Sequence, residues 1–302
     1  MNEAIIETHD LTVYYGRHRG IIGVNLSVQK GEIFGFLGPN GAGKTTTLRV
    51  LLDLIRPIAG TAHIFGLDCQ RNGVKIRQLV SYLPGELNLY ANLTAEEYLK
   101  LLSKIRGING DQSYRQELCE RLGLDTSRKI REYSRGNKQK IGIVSAFMNR
   151  PELLILDEPT TGLDPFVHQT VLDLVREIRE AGHTVFFSSH VLSEVQDVCD
   201  RVGIIRKGRL IVTEKVEDMI RQNFRKIRIT FAKPIQWKIL EMPGVHLTEQ
   251  QDNHYTYEVK ENMQIFLKKA ASLPLLDIET LSVTLEEVFL KFYGKEGVST
   301  HA

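Results

Sequence analysis

Cysteine is scarce in this sequence. Cys69, Cys119 and Cys199 stand far apart, with no CxxC pair and no histidines at metal-ligand spacing. That pattern argues against a disulfide framework and against a structural zinc site, and it fits a reducing cytosol. Long hydrophobic runs are missing as well. No stretch approaches the about eighteen apolar residues of a membrane span, so any path across a bilayer is expected from another polypeptide. The opening MNEAIIETHD carries acids and no apolar run of signal-peptide length, so neither secretion nor a transit peptide is expected. Nor is there a surplus of one charge: 39 lysines and arginines meet 37 acids, for a net charge of +2. This leaves no electrostatic case for a dedicated nucleic-acid binder. The basic stretch Arg128 to Lys140 has no interleaved aromatic except Tyr133 and reads as a solvated helix face. Internal repeats and low-complexity tracts are also lacking.

What is present is a chain of 302 residues, 42% hydrophobic and 25% charged, which fits one large domain plus a small one. Strand alternation runs over Ile5 to Tyr14 and Gly23 to Val28, followed by the apolar run Ile33 to Leu37, a buried strand. Thr45 to Ile55 has helical spacing at Leu48, Leu51, Leu52 and Ile55, and stops before Arg56-Pro57. A helical stretch follows over about 88–150, and within it Thr94 and Glu97 form a capping box. Leu153 to Leu156 and Val185 to Ser188 are short apolar strands separated by a helix, which implies right-handed crossovers and a parallel sheet. Beyond Glu217 the pattern becomes α+β: strands at Ile227 to Phe231 and Tyr255 to Val259, a helix at Met263 to Leu273 and a last helix from Thr284. The expected division is a core over 1–216, with its helical insert at 88–150, and an appendix over 217–302.

Gly38-Pro39-Asn40-Gly41-Ala42-Gly43-Lys44-Thr45 matches G-x-x-x-x-G-K-[ST]. Glycines let backbone amides approach and wrap phosphates, Lys44 supplies charge and Thr45 a magnesium-ligating hydroxyl. A helix starting there, with Thr46 in its first turn, also aims unpaired amides and a positive dipole end at the anion. ATP and Mg2+ are the expected ligands. Leu153-Leu154-Ile155-Leu156-Asp157-Glu158 is a buried strand ending in two acids, where Asp157 can hold the metal and Glu158 can face the γ-phosphate.

In the order and spacing of these motifs, residues 4–215 resemble the ATPase domain of ABC transporters. The resemblance implies a P-loop ATPase core with a parallel sheet, an antiparallel N-terminal β subdomain and a helical insert. It assigns Tyr15 to adenine stacking, with Tyr14 as the alternative, Thr161-Gly162-Leu163-Asp164 to the D-loop and His190 to the switch histidine. Asp164-Pro165 also has the form of a helix N-cap followed by an N1 proline. The signature segment departs from the family's Leu-Ser-Gly-Gly-Gln. It reads Tyr133-Ser134-Arg135-Gly136-Asn137, and a helix starting there would present Ser134, Gly136 and Asn137 to a phosphate held by another subunit. After Leu83-Pro84 the family places glutamine, where this chain has Gly85; Glu86 is a candidate for the metal or water contact, an ordinary exposed loop acid being the alternative.

By this resemblance Glu158 polarises water and Lys44, Thr45 and His190 neutralise charge, across a head-to-tail pair of ATPase subunits, identical or related. An integral-membrane permease is the other implied partner, and the cytoplasmic face of the membrane the expected location. The tail from Leu285 to Gly294, with Leu285, Val288, Phe289 and Phe292 on one helical face, resembles that of ATPase subunits serving ABC-2-type exporters of drugs and antibiotics. Export of a small amphipathic compound is the expected function. Import, lipid movement and an ATP-sensing regulatory subunit are the alternatives.

Overall fold

The computed structural model describes residues 3–105 and 112–294, with 221–223 and 290–294 described by backbone alone. Residues 106–111 of the expected insert, 295–302 of the appendix and the side chain of Phe292 lie outside that description. Two compact units divide the chain, Met1–Glu214 and Lys215–Ala302.

The first unit opens with β1 (Ala4–Tyr15) and β2 (His18–Gln29), an antiparallel hairpin, then β3 (Ile33–Leu37) and α1 (Lys44–Leu51). β4 (Ala59–Ile64), β5 (Leu67–Asp68), α2 (Gly73–Leu79) and β6 (Val80–Leu83) follow. The helical insert holds α3 (Ala95–Ile105), α4 (Gln112–Arg121) and α5 (Arg135–Phe147). The unit then runs through β7 (Leu153–Asp157), α6 (Pro165–Glu180), β8 (Thr184–Ser189), α7 (Leu192–Val198), β9 (Arg201–Arg206) and β10 (Arg209–Lys215). One sheet has the order β10-β9-β3-β8-β7-β6, with β3, β6, β7, β8 and β9 joined by parallel pairing; an antiparallel sheet has the order β2-β1-β4-β5. The expected α/β fold with a parallel core sheet and an antiparallel N-terminal part is thus observed.

All five residues of β3 and of β7 and all six of β8 are buried, as strands covered on both faces require. Phe186 of β8 packs between Phe34 and Phe36 of β3, with ring centroids 5.6 and 5.4 Å away. Against this layer Leu48 and Leu51 of α1 are fully buried. Helix α1 stops four residues earlier than the apolar spacing predicts. Asp53 adopts φ +53°, its amide bonds Val50 O at 3.0 Å and the Leu54 amide bonds Arg49 O at 2.8 Å. This is a Schellman ending built without glycine, so composition did not announce it. The capping box is present: Thr94 N donates to Glu97 Oε2 at 2.8 Å and Glu97 N to Thr94 Oγ1 at 3.2 Å.

The second unit comprises α8 (Val216–Asn223), β11 (Arg225–Phe231), β12 (Val245–Gln251), β13 (His254–Val259), α9 (Met263–Ala271), β14 (Leu275–Leu281) and α10 (Leu285–Gly294). Its sheet has the antiparallel order β12-β13-β11-β14. Ile227, Ile229, Phe231, Tyr255 and Tyr257 form one buried face with Phe266 and Ala270 of α9. Leu285 and Val288 of α10 are buried and Phe289 is half-buried.

Candidate active site

The glycine-rich loop joins β3 to α1 at the C-terminal end of the parallel strands. Two of its glycines are dictated by space. A Cβ on Gly38 would lie 2.4 Å from Ile205 O, and Gly43 sits at φ +115° with Ile21 Cγ2 2.6 Å from the same position. Lys44 is 5% exposed; its Nζ donates to Gly38 O at 2.7 Å and to Pro39 O at 3.4 Å. The loop is closed by Ala42 N donating to Pro39 O at 3.1 Å.

The acidic pair meets this loop from β7. Asp157 is 1% exposed, and its two oxygens accept from Thr45 Oγ1 at 2.8 Å and Ser188 Oγ at 2.5 Å. Burial, with the Asp157 charge adding to it, pushes the neighbouring Tyr82 phenol up to about 12. Glu158 adopts φ +51°, a left-handed conformation that costs a non-glycine residue about 1–3 kcal/mol. Its amide donates to Ser188 O at 3.1 Å, its Oε1 lies 3.2 Å from Lys44 Nζ and its Oε2 3.3 Å from His190 Nδ1. Parallel pairing of β7 with β8 is what brings the residues after both strands together.

A cavity of about 300 Å3 is lined by Tyr15, Arg19, Asn40, Gly41, Gly43, Lys44, Thr45, Thr46 and Glu158. Tyr15 Oη lies 3.3 Å from Thr46 Oγ1, so Tyr15, rather than the comparably exposed Tyr14, is seated over the start of α1. A second cavity of about 360 Å3 joins Asn40, Thr45, Asp157 and Glu158 to Gly85, Glu86, Arg135 and Thr161. Gly85 stands against Asp157, where an added Cβ would lie 3.6 Å from Oδ2, while Glu86 reaches only the cavity wall.

Ser134, Gly136, Asn137 and Asp164 line neither cavity. Ser134 caps α5, accepting from Asn137 N at 3.3 Å, and Gly136 packs near Gly162 O. Asp164 caps α6, accepting from Phe166 and Val167 amides at 3.1 and 3.0 Å, with Pro165 following it. A larger cavity of about 590 Å3 lies away from the loop, among Glu96, Arg115, Cys119 and Asp125 in the helical insert, and brings no phosphate-binding backbone with it. The cysteines are buried and free. Burial pushes Cys69 up to about 12 and Cys119 up to about 11, and holds Cys199 well above the usual thiol range, which disfavours the reactive thiolate in each.

Sequence reasoning missed Arg19, Ser188 and the buried Glu194. Ser188 reaches Asp157 through the pairing of β7 with β8, and Glu194 reaches Thr160 and His168 through the packing of α7, contacts that local spacing does not show.

The profile of the family described as ABC transporter matches residues 11–161. Over 96% of this chain and 97% of the relative, 36% of residues are identical to the bacitracin transport ATP-binding protein BcrA of Bacillus licheniformis. The chain belongs to the ABC transporter ATP-binding family. The linearmycin resistance ATP-binding protein LnrL of Bacillus subtilis is 37% identical over 71% of this ABC protein and 70% of its own length. Among solved structures, an ATP-binding subunit of an ABC transporter superposes with a TM-score of 0.66 at 31% identity, covering 72% of this chain and 92% of that one. As an ABC ATP-binding subunit, the protein has ATP as its nucleotide and ATP hydrolysis as its family's general activity. Among the described residues no helix is long and apolar enough to cross a membrane.

Proposed function

We propose that this chain hydrolyses ATP to power export of a small amphipathic compound, a drug or antibiotic, through a separate membrane subunit. One observation carries the hydrolytic part. Lys44 and His190 lie within 3.3 Å of the Glu158 carboxylate, and Thr45 bonds Asp157 beside it, all at one end of one sheet. Phosphoryl transfer needs little covalent help, so its rate comes from positioning and from neutralising charge.

The loop amides and the start of α1 hold the phosphates, and Tyr15 stacks on the base. Lys44 turns its ammonium from the Gly38 carbonyl toward the phosphate oxygens. Glu158 orients the attacking water and takes its proton, a role worth about 10²–10⁴-fold in rate. His190 steadies Glu158 and faces the γ-phosphate. Thr45 and Asp157 are the residues that would hold Mg2+, which when bound would neutralise phosphate charge.

Ser134, Gly136 and Asn137 line neither cavity, and of the signature segment only Arg135 reaches the second one, beside Asn40 and Thr45, which supports a reading in which the cap of α5 serves a phosphate held by another subunit. A second ATPase subunit, most simply another copy packed head to tail, supplies the missing half. Differential affinity for ATP then lets binding favour the closed pair and hydrolysis the open one. Docking on a permease at the cytoplasmic face of the membrane follows, and relatives named for bacitracin transport and linearmycin resistance support the export direction.

The test is steady-state hydrolysis by the purified chain over a protein concentration series, with Glu158→Gln and Lys44→Ala alongside. Cooperative activity that collapses in both variants is expected, with a stable ATP-bound dimer in Glu158→Gln. A wild type that binds ATP tightly without turnover would favour the ATP-sensing alternative.

A further inference from the structure

Three segments that carry the proposed chemistry are tied together behind the site by a side chain to which the mechanism gives no role. Glu194, in the first turn of α7, is 3% exposed. Its Oε1 accepts from Thr160 Oγ1 at 2.6 Å and lies 2.8 Å from His168 Nε2, and its Oε2 accepts from Ser189 Oγ at 2.6 Å. Thr160 follows Glu158 by two residues, His168 lies one turn after the Asp164 cap, and Ser189 immediately precedes His190. Ser189 Oγ also accepts the Val191 amide at 2.9 Å, which fastens the turn bearing His190 on both sides.

A carboxylate taken out of water is tolerated only when both oxygens are hydrogen-bonded, as they are here. A group needed merely to fill space would be apolar, like the buried Val195 and Val198 of the same helix. Bonds to an ionised acceptor are also the stronger and more directional kind.

We infer that Glu194 is a positioning residue of the ATPase reaction. Its carboxylate holds the loop after Glu158, the first turn of α6 and the turn carrying His190 in one arrangement, in which Glu158 Oε2 stays 3.3 Å from His190 Nδ1. The inference rests on the ATPase reading above. None of its three side-chain contacts reaches Gly38–Thr46, so ATP binding persists when Glu194 is lost, while turnover falls.

The experiment uses the full chain as wild type, Glu194→Ala and Glu194→Gln. It measures kcat and KM for ATP and, in samples with 15N-labelled histidine, the imidazole resonances of His190, assigned through their loss in His190→Gln. In Glu194→Ala, kcat should fall about 10- to 100-fold, the usual cost of a misplacement near one ångström. KM should stay within about threefold, as for a loss confined to the transition state. Glu194→Gln should fall between, since an amide can accept from one hydroxyl and donate to the other, and the His190 signal should move in both. A kcat within about twofold of wild type, a KM rising in step with the loss of kcat, or an unmoved His190 signal would overturn the inference. If Glu194→Ala does not fold, Thr160→Val and His168→Gln, each removing one partner, must both lower kcat and displace His190. The resonance needs no turnover: a wild type without hydrolysis overturns the ATPase reading, and the spectrum still decides the role of Glu194.

Discussion

The two units of the chain bury polar groups very differently. Among the described residues the buried charged side chains, Glu32, Lys44, Asp157 and Glu194, all belong to the first unit; the second buries only the hydroxyl of Thr256 among its polar side chains outside the tyrosines. Those tyrosines are anchored to backbone, Tyr255 Oη to Ile235 and Tyr257 Oη to the Trp237 carbonyl. Burying an ion costs several kcal/mol even after relaxation. Glu32 displays that cost: burial pushes its carboxyl above the usual range even though the Gln29 amide and Arg201 both favour the ionised form. The first unit therefore carries buried charge of two kinds, Lys44 and Asp157 within the proposed site and Glu32 outside it, paired with Arg201. The second is an ordinary apolar core under a sheet, with nothing buried that a reaction needs.

Breaking the site should separate activity from stability. Glu158→Gln should lower kcat by about 10²–10⁴-fold, or about 3–5 kcal/mol of barrier, with only a small change in Tm, since the amide keeps the left-handed backbone and the volume of the side chain. Phosphate release and thermal unfolding measure the two. Equal losses in both would mean that the buried charges serve the fold. In the second unit Phe266→Ala, which removes the ring packed 5.2 Å from that of Tyr257, should cost about 3–5 kcal/mol in denaturant unfolding. Its affinity for ATP, measured on the folded protein, should be that of wild type; a large fall would erase the distinction between the units.

How much of this was legible depended on sequence distance. The phosphate loop, the Asp164-Pro165 cap and the Thr94/Glu97 box are written within two to eight residues, where spacing alone implies geometry. Ser188 and Glu194 become site residues through partners 31 and 34 positions away, Asp157 and Thr160, and only the parallel pairing of β7 with β8 and the return of α7 create those contacts. Strands β12 and β14 went unread because they are mostly exposed and sit at the sheet's two edges, so their sequences lack the alternation of a half-buried strand. The early stop of α1 was hidden because Asp53, not glycine, takes the left-handed position.

A smaller effect sharpens the comparison at the rim of the site. Arg19 is exposed and lines the same cavity as Tyr15 and the phosphate loop. As a solvated cation it should contribute about 1 kcal/mol or less to holding the nucleotide. Arg19→Ala should therefore raise KM for ATP about fivefold at most with kcat nearly unchanged, and the difference should shrink with added salt. A loss confined to kcat would instead place Arg19 at the reacting phosphate.

Asp164 supplies the smallest effect, because it carries charge in the first unit without burial. The Val167 amide first, and the Phe166 amide with it, hold its carboxyl below the usual carboxylate range. A lowered folded-state pKa means that the stabilisation is present above the unfolded value, near 3.8, and is lost as pH falls through the folded one. Asp164→Asn keeps a good cap without the charge, so the variant isolates the ionic part. The Tm of wild type should exceed that of Asp164→Asn at neutral pH, and the gap should close as pH falls below 3.8. A gap constant across that range would show that the cap works through its neutral geometry alone, in contrast to the buried Asp157 and Glu194, whose oxygens are held by side-chain hydroxyls.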